Sequence, residues 1–408
     1  MSSSLAIPTI FFPSFSFFNL ILISTTLLMY YKKAYGVVIV IISARVHSRT
    51  TWPNTLITLI ISLVGLLFIF SSTQNTTLYY SIFFKKQVFG LISGFVIYCF
   101  FYFRNYYSLC RLGYFVYFAT LGLLLFTIVK GSMGMGAQRW INLGLFKFQP
   151  SELAKLFLPA FITYYLYTEE ESGRFKFSYF WTILLILGFS FLLVLKQPDL
   201  GTAVIIALSG AIMLWIAGIG RKFFVLTALL IGISAPLLYS NLKPYQRKRI
   251  DVFLGAGDAK KERYQIEQSM IAIGSGGLFG KGLFKGTQTQ LAFLPESRTD
   301  FIFSVLCEEW GLVGALLILT LYAILVLRLL IGIMVLTSFF AQLLAIGLLA
   351  PIMLAIVINT GMVTGILPIV GIPLPLMSYG LSHTWITLAS LGWINGIISQ
   401  QQPDSHSF

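Results

Sequence analysis

The stretch LAFLPESRTDFIFSVLCEEWG, from Leu291 to Gly311, places a run of polar residues directly before an apolar helix. Pro295 fixes φ on the approach, and Thr299 is a suitable N-cap, so Asp300 is expected in the first helical turn. The residues from Phe301 onward are apolar enough to enter lipid, which leaves Asp300 at the membrane surface. A carboxylate at a helix N-terminus beside hydrocarbon is a candidate base.

Two further carboxyl groups, Glu308 and Glu309, fall inside the same apolar run. At 1.5 Å of rise per residue they lie roughly 12 to 13.5 Å beyond Asp300. Carboxyl groups at that depth of a bilayer cost several kcal/mol unless they have partners. The two glutamates are therefore functional candidates.

The composition of the whole chain is that of a multi-pass membrane protein. Of 408 residues, 57% are hydrophobic and 10% are charged, and the mean hydropathy is +0.86. A water-soluble fold has no means of hiding so much apolar surface. We therefore predict an all-α, polytopic integral membrane protein of about ten transmembrane helices, at residues 54–72, 87–103, 112–130, 152–167, 179–195, 200–219, 222–239, 300–327, 339–361 and 382–399.

The segments between the apolar runs carry most of the charge. Placing residues 42–53 on the cytoplasmic side puts more Lys and Arg in the short inner loops than in the short outer ones, as the positive-inside rule requires. The formal net charge of +14 then indicates membrane lipid head groups or pyrophosphates as partners, rather than nucleic acid. A large outer loop at about 240–299 is expected to be a functional lid or platform, with a helix near Tyr264–Ile273 lying flat in the interface.

The predicted domain organisation has three parts. Residues 1–45 form an N-terminal extension, which is either an extra membrane span or a product of an upstream start codon. Residues 46–399 form the transmembrane domain with its large outer loop, and residues 400–408 form a short C-terminal tail.

Several polar residues fall on the outer side of this predicted topology. Arg139 offers a planar fork of donors for phosphate. Glu152 and Lys155 share one helical face, either as a structural ion pair or as part of a site. Asp199 lies at a break between two apolar runs, either as a helix N-cap or as a second polar group facing the same cavity.

Glycine-rich segments supply the remaining candidates. In GSGGLFGKGLFKG (Gly274–Gly286), Gly282 follows Lys281, so the Walker pattern fails and nucleotide binding is rejected. Lys281 and Lys285 either neutralise a pyrophosphate or belong to a solvated basic loop. The segment Asn359–Trp385 is non-helical backbone that lines a cavity, with Ser378 among its polar groups, or that merely packs.

The sequence contains no recognisable cofactor-binding motif. The three cysteines and three histidines form no disulfide framework and no metal-ligand spacing. No cofactor is evident, and the sequence leaves open whether a divalent cation takes part.

The motifs GAQRWINLG, FQPSELAK, QPDLGTA, YQRKRI, IAIGSGGLFGKGLFKGTQTQLAFLPESRTDFIF, EEWGLVG and NTGMVTGILPIVGIPLPLMSYG together resemble the SEDS family. The motif GAQRW and the run from GTQTQ to RTDFIF are more similar to sequences of its elongation (RodA) branch than to those of its division (FtsW) branch. The resemblance covers about residues 55–398 and does not include residues 1–45. The chain departs from the family pattern at Gly380–His383, where a second glycine and small apolar residues are usual.

This resemblance implies a peptidoglycan glycosyltransferase of the bacterial inner membrane, with its active site facing the periplasm. Its substrate would be lipid II, with the growing glycan also linked to undecaprenyl pyrophosphate. Its partner would be a class B penicillin-binding protein that crosslinks the strands. The family's essential aspartate falls on Asp300, and its other motif residues fall on Arg139, Glu152, Lys155 and Asp199.

Two alternatives from other classes stay open at this point. A lipid II flippase would use buried charges such as Glu308, Glu309 and Asp199 along a transmembrane path. A scaffold would only position a partner enzyme and would not need Asp300.

Overall fold

A computed structural model describes residues 51–73, 81–134, 137–142, 144, 146–171, 178–241, 247, 260–291 and 293–401. The N-terminal extension and most of the C-terminal tail lie outside the described residues. The two loop segments 242–246 and 248–259 lie outside them as well.

The described residues are overwhelmingly helical, which confirms the all-α, multi-pass fold. Each of the ten predicted segments corresponds to one helix. In chain order the helices are α1 (Trp52–Thr73), α2 (Ile82–Phe103), α3 (Tyr106–Lys130), α4 (Pro150–Glu171), α5 (Ser178–Lys196), α6 (Leu200–Ile216), α7 (Arg221–Asn241), α8 (Lys260–Ser275), α9 (Thr287–Gln290), α10 (Ile302–Met334), α11 (Phe339–Val363) and α12 (Leu381–Gln400).

Five of these helices are long and apolar enough to cross a membrane by length and composition alone, namely α1, α2, α3, α10 and α11. The apolar stretches of α5 and α6 are shorter. Helix α12 is less apolar because it carries several buried polar side chains, among them Ser382, His383, Thr387 and Asn395. Such side chains face the protein interior rather than lipid.

The segment between α3 and α4 is a small sheet. Its strands are β1 (Ser132–Gly134), β2 (Ala137–Asn142) and β3 (Lys147–Phe148), in the order β1-β2-β3 with antiparallel pairing. Strand β2 carries Arg139, and β3 ends directly before α4 begins at Pro150. The sheet therefore brings Arg139 to the start of α4.

Helix α10 is broken at Gly311, which the sequence analysis did not foresee. Gly311 has φ 67° and ψ −161°, and its added Cβ would overlap the backbone of Leu278 and Gly280. The amides of Leu312 and Val313 donate to the carbonyls of Gly277 and Leu278, at 2.9 and 3.1 Å. The single span predicted over residues 300–327 is therefore interrupted directly after Glu308 and Glu309, where α10 packs against the loop after α8.

The helix expected near Tyr264–Ile273 is present as α8, but it is packed rather than merely laid on the surface. The buried hydroxyl of Ser269 lies 2.8 Å from Ser304 Oγ on α10 and donates to the Val363 carbonyl of α11 at 2.7 Å. Helix α8 thus forms part of the wall around the residues that precede α10.

Helices α2 and α12 approach each other closely because two glycines of α12 lie four residues apart. A Cβ atom added at Gly392 would overlap the Tyr98 carbonyl, and one at Gly396 would lie 2.7 Å from the Tyr102 carbonyl. Small residues at this spacing allow backbones to meet in membrane helix pairs. The α2–α12 pair supports the N-terminal end of α12, which carries His383.

We expect Gly392→Ala to destabilise the protein by about 1–3 kcal/mol, because the added methyl group meets backbone that has no freedom to move aside. Gly122→Ala is the matched control, since nothing lies within 4 Å of its added Cβ in α3. Thermal unfolding in detergent measures both variants. An unchanged unfolding temperature for Gly392→Ala would contradict the close packing of α2 on α12.

Candidate functional site

The turn before α10 is held in place by its main chain. Three consecutive carbonyls of this turn each accept a hydrogen bond from the segment 359–379. The Tyr379 amide donates to the Arg298 carbonyl at 2.9 Å, Ser378 Oγ to the Thr299 carbonyl at 2.6 Å, and Asn359 Nδ2 to the Asp300 carbonyl at 2.9 Å. We call these three bonds the carbonyl clamp. It fixes the backbone on which the Asp300 carboxylate stands.

The start of α10 differs from the prediction by two residues. The helix begins at Ile302, and Phe301 occupies the N-cap position without a side-chain bond. Thr299 does not cap α10, because its hydroxyl donates back to the Glu296 carbonyl at 3.3 Å and to Glu296 Oε2 at 3.1 Å. Asp300 therefore lies in the turn before the helix rather than in its first turn.

A second cluster surrounds Asp199, which is 2% exposed. Its Oδ1 accepts the Thr202 amide at 3.3 Å as the N-cap of α6 and lies 3.4 Å from Arg139 Nη1. Its Oδ2 accepts a hydrogen bond from Gln149 Nε2 at 2.7 Å. Asp199 is therefore the N-cap of α6 and also the partner of Arg139, and a role toward a substrate stays a prediction.

A third cluster lies one turn into α4. Lys155 Nζ lies 2.7 Å from Glu152 Oε1, and His383 Nδ1 of α12 lies 3.3 Å from Glu152 Oε2. All three side chains are buried. They line a cavity of about 20 Å³ together with Thr387 and Ser390, which is room for about one water molecule.

These clusters are neighbours in the fold. The Gln149 amide, between Asp199 and α4, donates to Ser382 Oγ at 3.2 Å, next to His383. A Cβ atom added at Gly201, near the start of α6, would lie 2.8 Å from the Val370 carbonyl. One residue further on, a Cβ atom added at Gly371 would lie 3.4 Å from Asp300 Oδ2. The segment 370–372 thus lies between the Asp199 cluster and the Asp300 carboxylate.

Lys281 and Lys285 lie apart from these three clusters. Lys281 Nζ lies 2.7 Å from Glu308 Oε1 and donates to Thr287 Oγ1 at 2.7 Å, whereas Lys285 is exposed. Glu308 also accepts the Gln288 amide at 2.9 Å, and Glu309 accepts Ser71 Oγ of α1. The carboxyl groups that the sequence placed inside a span are therefore bonded to the loop after α8 and to the end of α1.

Ser378 is 1% exposed, and two backbone groups occupy its hydroxyl. It donates to the Thr299 carbonyl and accepts the Leu374 amide at 2.8 Å. Its place in the fold is within the carbonyl clamp, behind Asp300, and direct contact of Ser378 with a substrate stays a prediction.

Sequence reasoning did not assign four residues that the structure places in these clusters, namely Gln149, Arg298, Asn359 and His383. The signal for three of them was present. Asn359 stood out as a polar group in an apolar segment, His383 stood at the departure from the family pattern, and Gln149 lay within a quoted motif. Arg298 lay beside Asp300 in the stretch on which the sequence analysis opened.

Within the described part of the chain, no group of three or more His, Cys, Asp or Glu side chains is arranged to hold a metal ion.

Comparison with known proteins identifies the family. A family model described as cell cycle protein, FtsW/RodA/SpoVE, matches residues 19–402. The chain belongs to the FtsW/RodA/SpoVE family. The match begins at residue 19 and so includes part of residues 1–45, to which the resemblance seen in the sequence motifs did not extend.

Two curated relatives of this family show how similar the chain is. The peptidoglycan glycosyltransferase MrdB of Escherichia coli (strain K12) is 40% identical over 296 residues, which cover 72% of this chain and 79% of the relative. The stage V sporulation protein E of Bacillus subtilis (strain 168) is 34% identical over 361 residues, which cover 85% and 96%.

Solved structures of FtsW/RodA/SpoVE proteins share the fold. A structure of a peptidoglycan synthase complex that coordinates polymerization and crosslinking matches with TM-score 0.71 and 26% identity, over 86% of this chain and 98% of the other. The crystal structure of RodA from Thermus thermophilus matches with TM-score 0.64 and 27% identity over the same shares. The predicted family and the multi-pass helical fold are both confirmed.

We expect Lys155→Met to destabilise the protein by about 3–5 kcal/mol, because it leaves the buried Glu152 carboxylate without its cation. The double variant Glu152→Gln/Lys155→Met should recover much of this loss. Denaturant unfolding in detergent measures the cycle, with the exposed Lys147→Met as control. Additive losses in the double variant would contradict a coupled pair.

Proposed function

We propose that this protein is a peptidoglycan glycosyltransferase that polymerises lipid II into glycan strands at the outer face of the inner membrane, during cell elongation and shape maintenance. The observation that carries the proposal is the carbonyl clamp. It fixes the backbone that carries the Asp300 carboxylate just before α10, across the segment 370–372 from the cluster of Asp199 and Arg139, in a family whose relative MrdB is named a peptidoglycan glycosyltransferase.

Asp300 acts as the general base in this proposal. The acceptor sugar hydroxyl must lose a proton as its oxygen attacks the anomeric carbon of the donor, and a positioned carboxylate accepts that proton. The bond from the anomeric carbon to the lipid pyrophosphate breaks in the same step, so the configuration inverts. A covalent intermediate on Asp300 is less favoured, because it would need a second carboxylate to activate the acceptor. Asp199, which the segment 370–372 separates from the Asp300 carboxylate, is already paired with Arg139.

The departing pyrophosphate gathers negative charge, which cations at the site offset. Arg139 is the first candidate, because its guanidinium is partly exposed and meets Asp199 through Nη1 alone at 3.4 Å. Lys155 lies deeper, neutralised by Glu152. The remaining proposed contacts of the substrate are Glu152, Asp199, Lys281, Lys285 and Ser378.

The carbonyl clamp explains how the base keeps its position. A general base must stand within hydrogen-bond reach of the proton it accepts, and a displacement of 1 Å can lower the rate about a hundredfold. The turn 296–300 has no regular hydrogen-bond ladder of its own. The bonds from Asn359, Ser378 and Tyr379 supply that rigidity.

The partner we propose is a class B penicillin-binding protein, which would crosslink the strands made at Asp300. The support is the structural match to a peptidoglycan synthase complex in which polymerization and crosslinking are coordinated. Because the crosslinking substrate lies outside the cell membrane, this proposal also places the Asp300 site on the periplasmic side.

A flippase is the second candidate that the sequence raised. It would need Glu308 and Glu309 along a transmembrane path. Both carboxyl groups are instead bonded to residues 281–290 and to Ser71, near the end of α1. This arrangement favours a polymerase with its charges at one end of the helices over a translocation path.

We expect Asp300→Asn to lower the rate of glycan polymerisation from labelled lipid II by about 10²- to 10⁴-fold, because it removes the base. The control Glu267→Gln, an exposed carboxyl on α8, should keep the rate within about twofold of that of the unaltered protein. Gel analysis of the glycan made by purified protein, with its penicillin-binding partner, measures the rate. Full activity of a folded Asp300→Asn protein would contradict the role of Asp300 as the base and favour the hypothesis that this protein is a scaffold.

We expect Asn359→Leu to lower kcat at least about tenfold with a smaller change in KM, because the Asp300 carbonyl loses its bond and the carboxylate shifts. Thr360→Val is the matched control, since among the described residues the Thr360 hydroxyl bonds to carbonyls of its own helix. A raised KM with unchanged kcat would instead indicate that Asn359 contacts the substrate.

A further inference from the structure

Arg298 is a cation in the turn that carries Asp300, and no carboxylate among the described residues pairs with it. The buried or partly buried cations of the two neighbouring clusters each meet a carboxylate, Arg139 with Asp199 and Lys155 with Glu152, and so does Lys281, with Glu308, in the loop after α8. Arg298 is half-buried and forms no ion pair with any described residue. A partly desolvated charge without a partner costs free energy, and none of the described residues supplies that partner, so a bound anion would stabilise it.

An aromatic ring holds the guanidinium in place. The Arg298 Cζ atom lies 3.9 Å from the centre of the Phe83 ring of α2, and the Tyr379 ring meets Phe83 edge-on at 5.4 Å. Stacking on a ring stabilises a guanidinium while leaving its N–H edges open. Burial raises the pKa of the Tyr379 phenol, and the positive charge of Arg298 lowers that pKa in part. The guanidinium therefore also interacts electrostatically with Tyr379.

The donors of Arg298 are available to a ligand. Its guanidinium donates no hydrogen bond to any described side chain or carbonyl, and none of its nitrogens is a buried atom without a partner. A planar fork with free N–H groups binds two oxygens of one phosphate at once. The fork is therefore suited to a phosphate or diphosphate group.

The backbone of Arg298 belongs to the carbonyl clamp. Its carbonyl accepts the Tyr379 amide, and the Asp300 carbonyl, two residues on, accepts Asn359 Nδ2. The guanidinium and the carboxylate thus extend from one rigid turn. An anion bound to Arg298 is held at a fixed position relative to the Asp300 carboxylate.

We propose that Arg298, stacked on Phe83, is a binding residue for the diphosphate of a prenyl-linked sugar. This inference rests on the proposed function, and it adds a ligand contact that the sequence analysis did not assign. In the transfer step, the bond from the anomeric carbon to the diphosphate oxygen breaks and the electron pair stays on that oxygen. The positive guanidinium stabilises the charge that develops there.

Binding of farnesyl diphosphate to the purified full-length protein in detergent tests the proposal without any turnover. We expect Arg298→Gln to weaken binding at least about tenfold, Arg298→Lys to weaken it less, and Phe83→Leu to weaken it because the guanidinium loses its support. Arg104→Gln is the matched control, since Arg104 also lies over a phenylalanine ring, 5.5 Å from the centre of Phe100, but is exposed at the opposite end of α2. It should bind as the unaltered protein does.

Two results would overturn the proposal. One is equal affinity for farnesyl diphosphate in Arg298→Gln and in the unaltered protein, with thermal unfolding confirming that both are folded. The other is displacement of farnesyl diphosphate by phosphatidylglycerol at equal concentration, which would make the site a phospholipid head-group site.

Polymerisation assays on the same preparations separate this inference from the proposed function. Arg298-dependent binding in a protein that makes no glycan would support the anion site and contradict the transferase. Glycan synthesis with full activity in Arg298→Gln would support the transferase and contradict the role of Arg298.

Discussion

The hydrogen bonds between the turn 298–300 and the segment 359–379 are the constraint on which the site depends. A turn that approaches a membrane helix has carbonyls without helical partners, and apolar surroundings make each unpaired carbonyl costly. Here side chains and one amide of the segment 359–379, which begins in the last turns of α11 and continues as non-helical backbone, satisfy them. The segment's own backbone is satisfied in part by the same residues, since Ser378 Oγ accepts the Leu374 amide and Asn359 Nδ2 also donates to the Ile372 carbonyl. The turn 298–300 and the segment 359–379 therefore stabilise each other.

Charge pairing follows a consistent rule around this constraint. Each buried cation near the site pairs with a carboxylate. The partner lies either one turn away on the same helix, as Glu152 does for Lys155 at 2.7 Å, or on an adjoining element, as Asp199 does for Arg139. Such pairs are costly to break and contribute to a unique arrangement more than to net stability. Arg298 departs from the rule, because an aromatic ring supports its charge while leaving its donors open. The contrast distinguishes charges that hold the fold from a charge that is free to meet a ligand.

The fold was largely predictable because apolar runs of spanning length are the strongest signal in a membrane sequence. All ten predicted segments are helices, including α12, whose polar residues are buried. The break at Gly311 was missed because a glycine in an apolar run does not reveal its φ. The error over Thr299 had a similar origin, since its hydroxyl could bond forward to the helix or back to Glu296. Local pattern does not decide between such alternatives; tertiary contacts do.

For the site, sequence motifs identified residues without revealing which of them act on substrate and which on each other. Asp199 illustrates the limit, because one carboxylate caps α6, bonds Gln149 and meets Arg139 at once. Spacing along the chain carries no information about partners some fifty residues away. The same limit applies to Arg298, to which the motif gave no role of its own two residues before Asp300. Its ring support comes from Phe83, more than two hundred residues earlier in the chain, and only the folded arrangement shows that its charge is directed elsewhere.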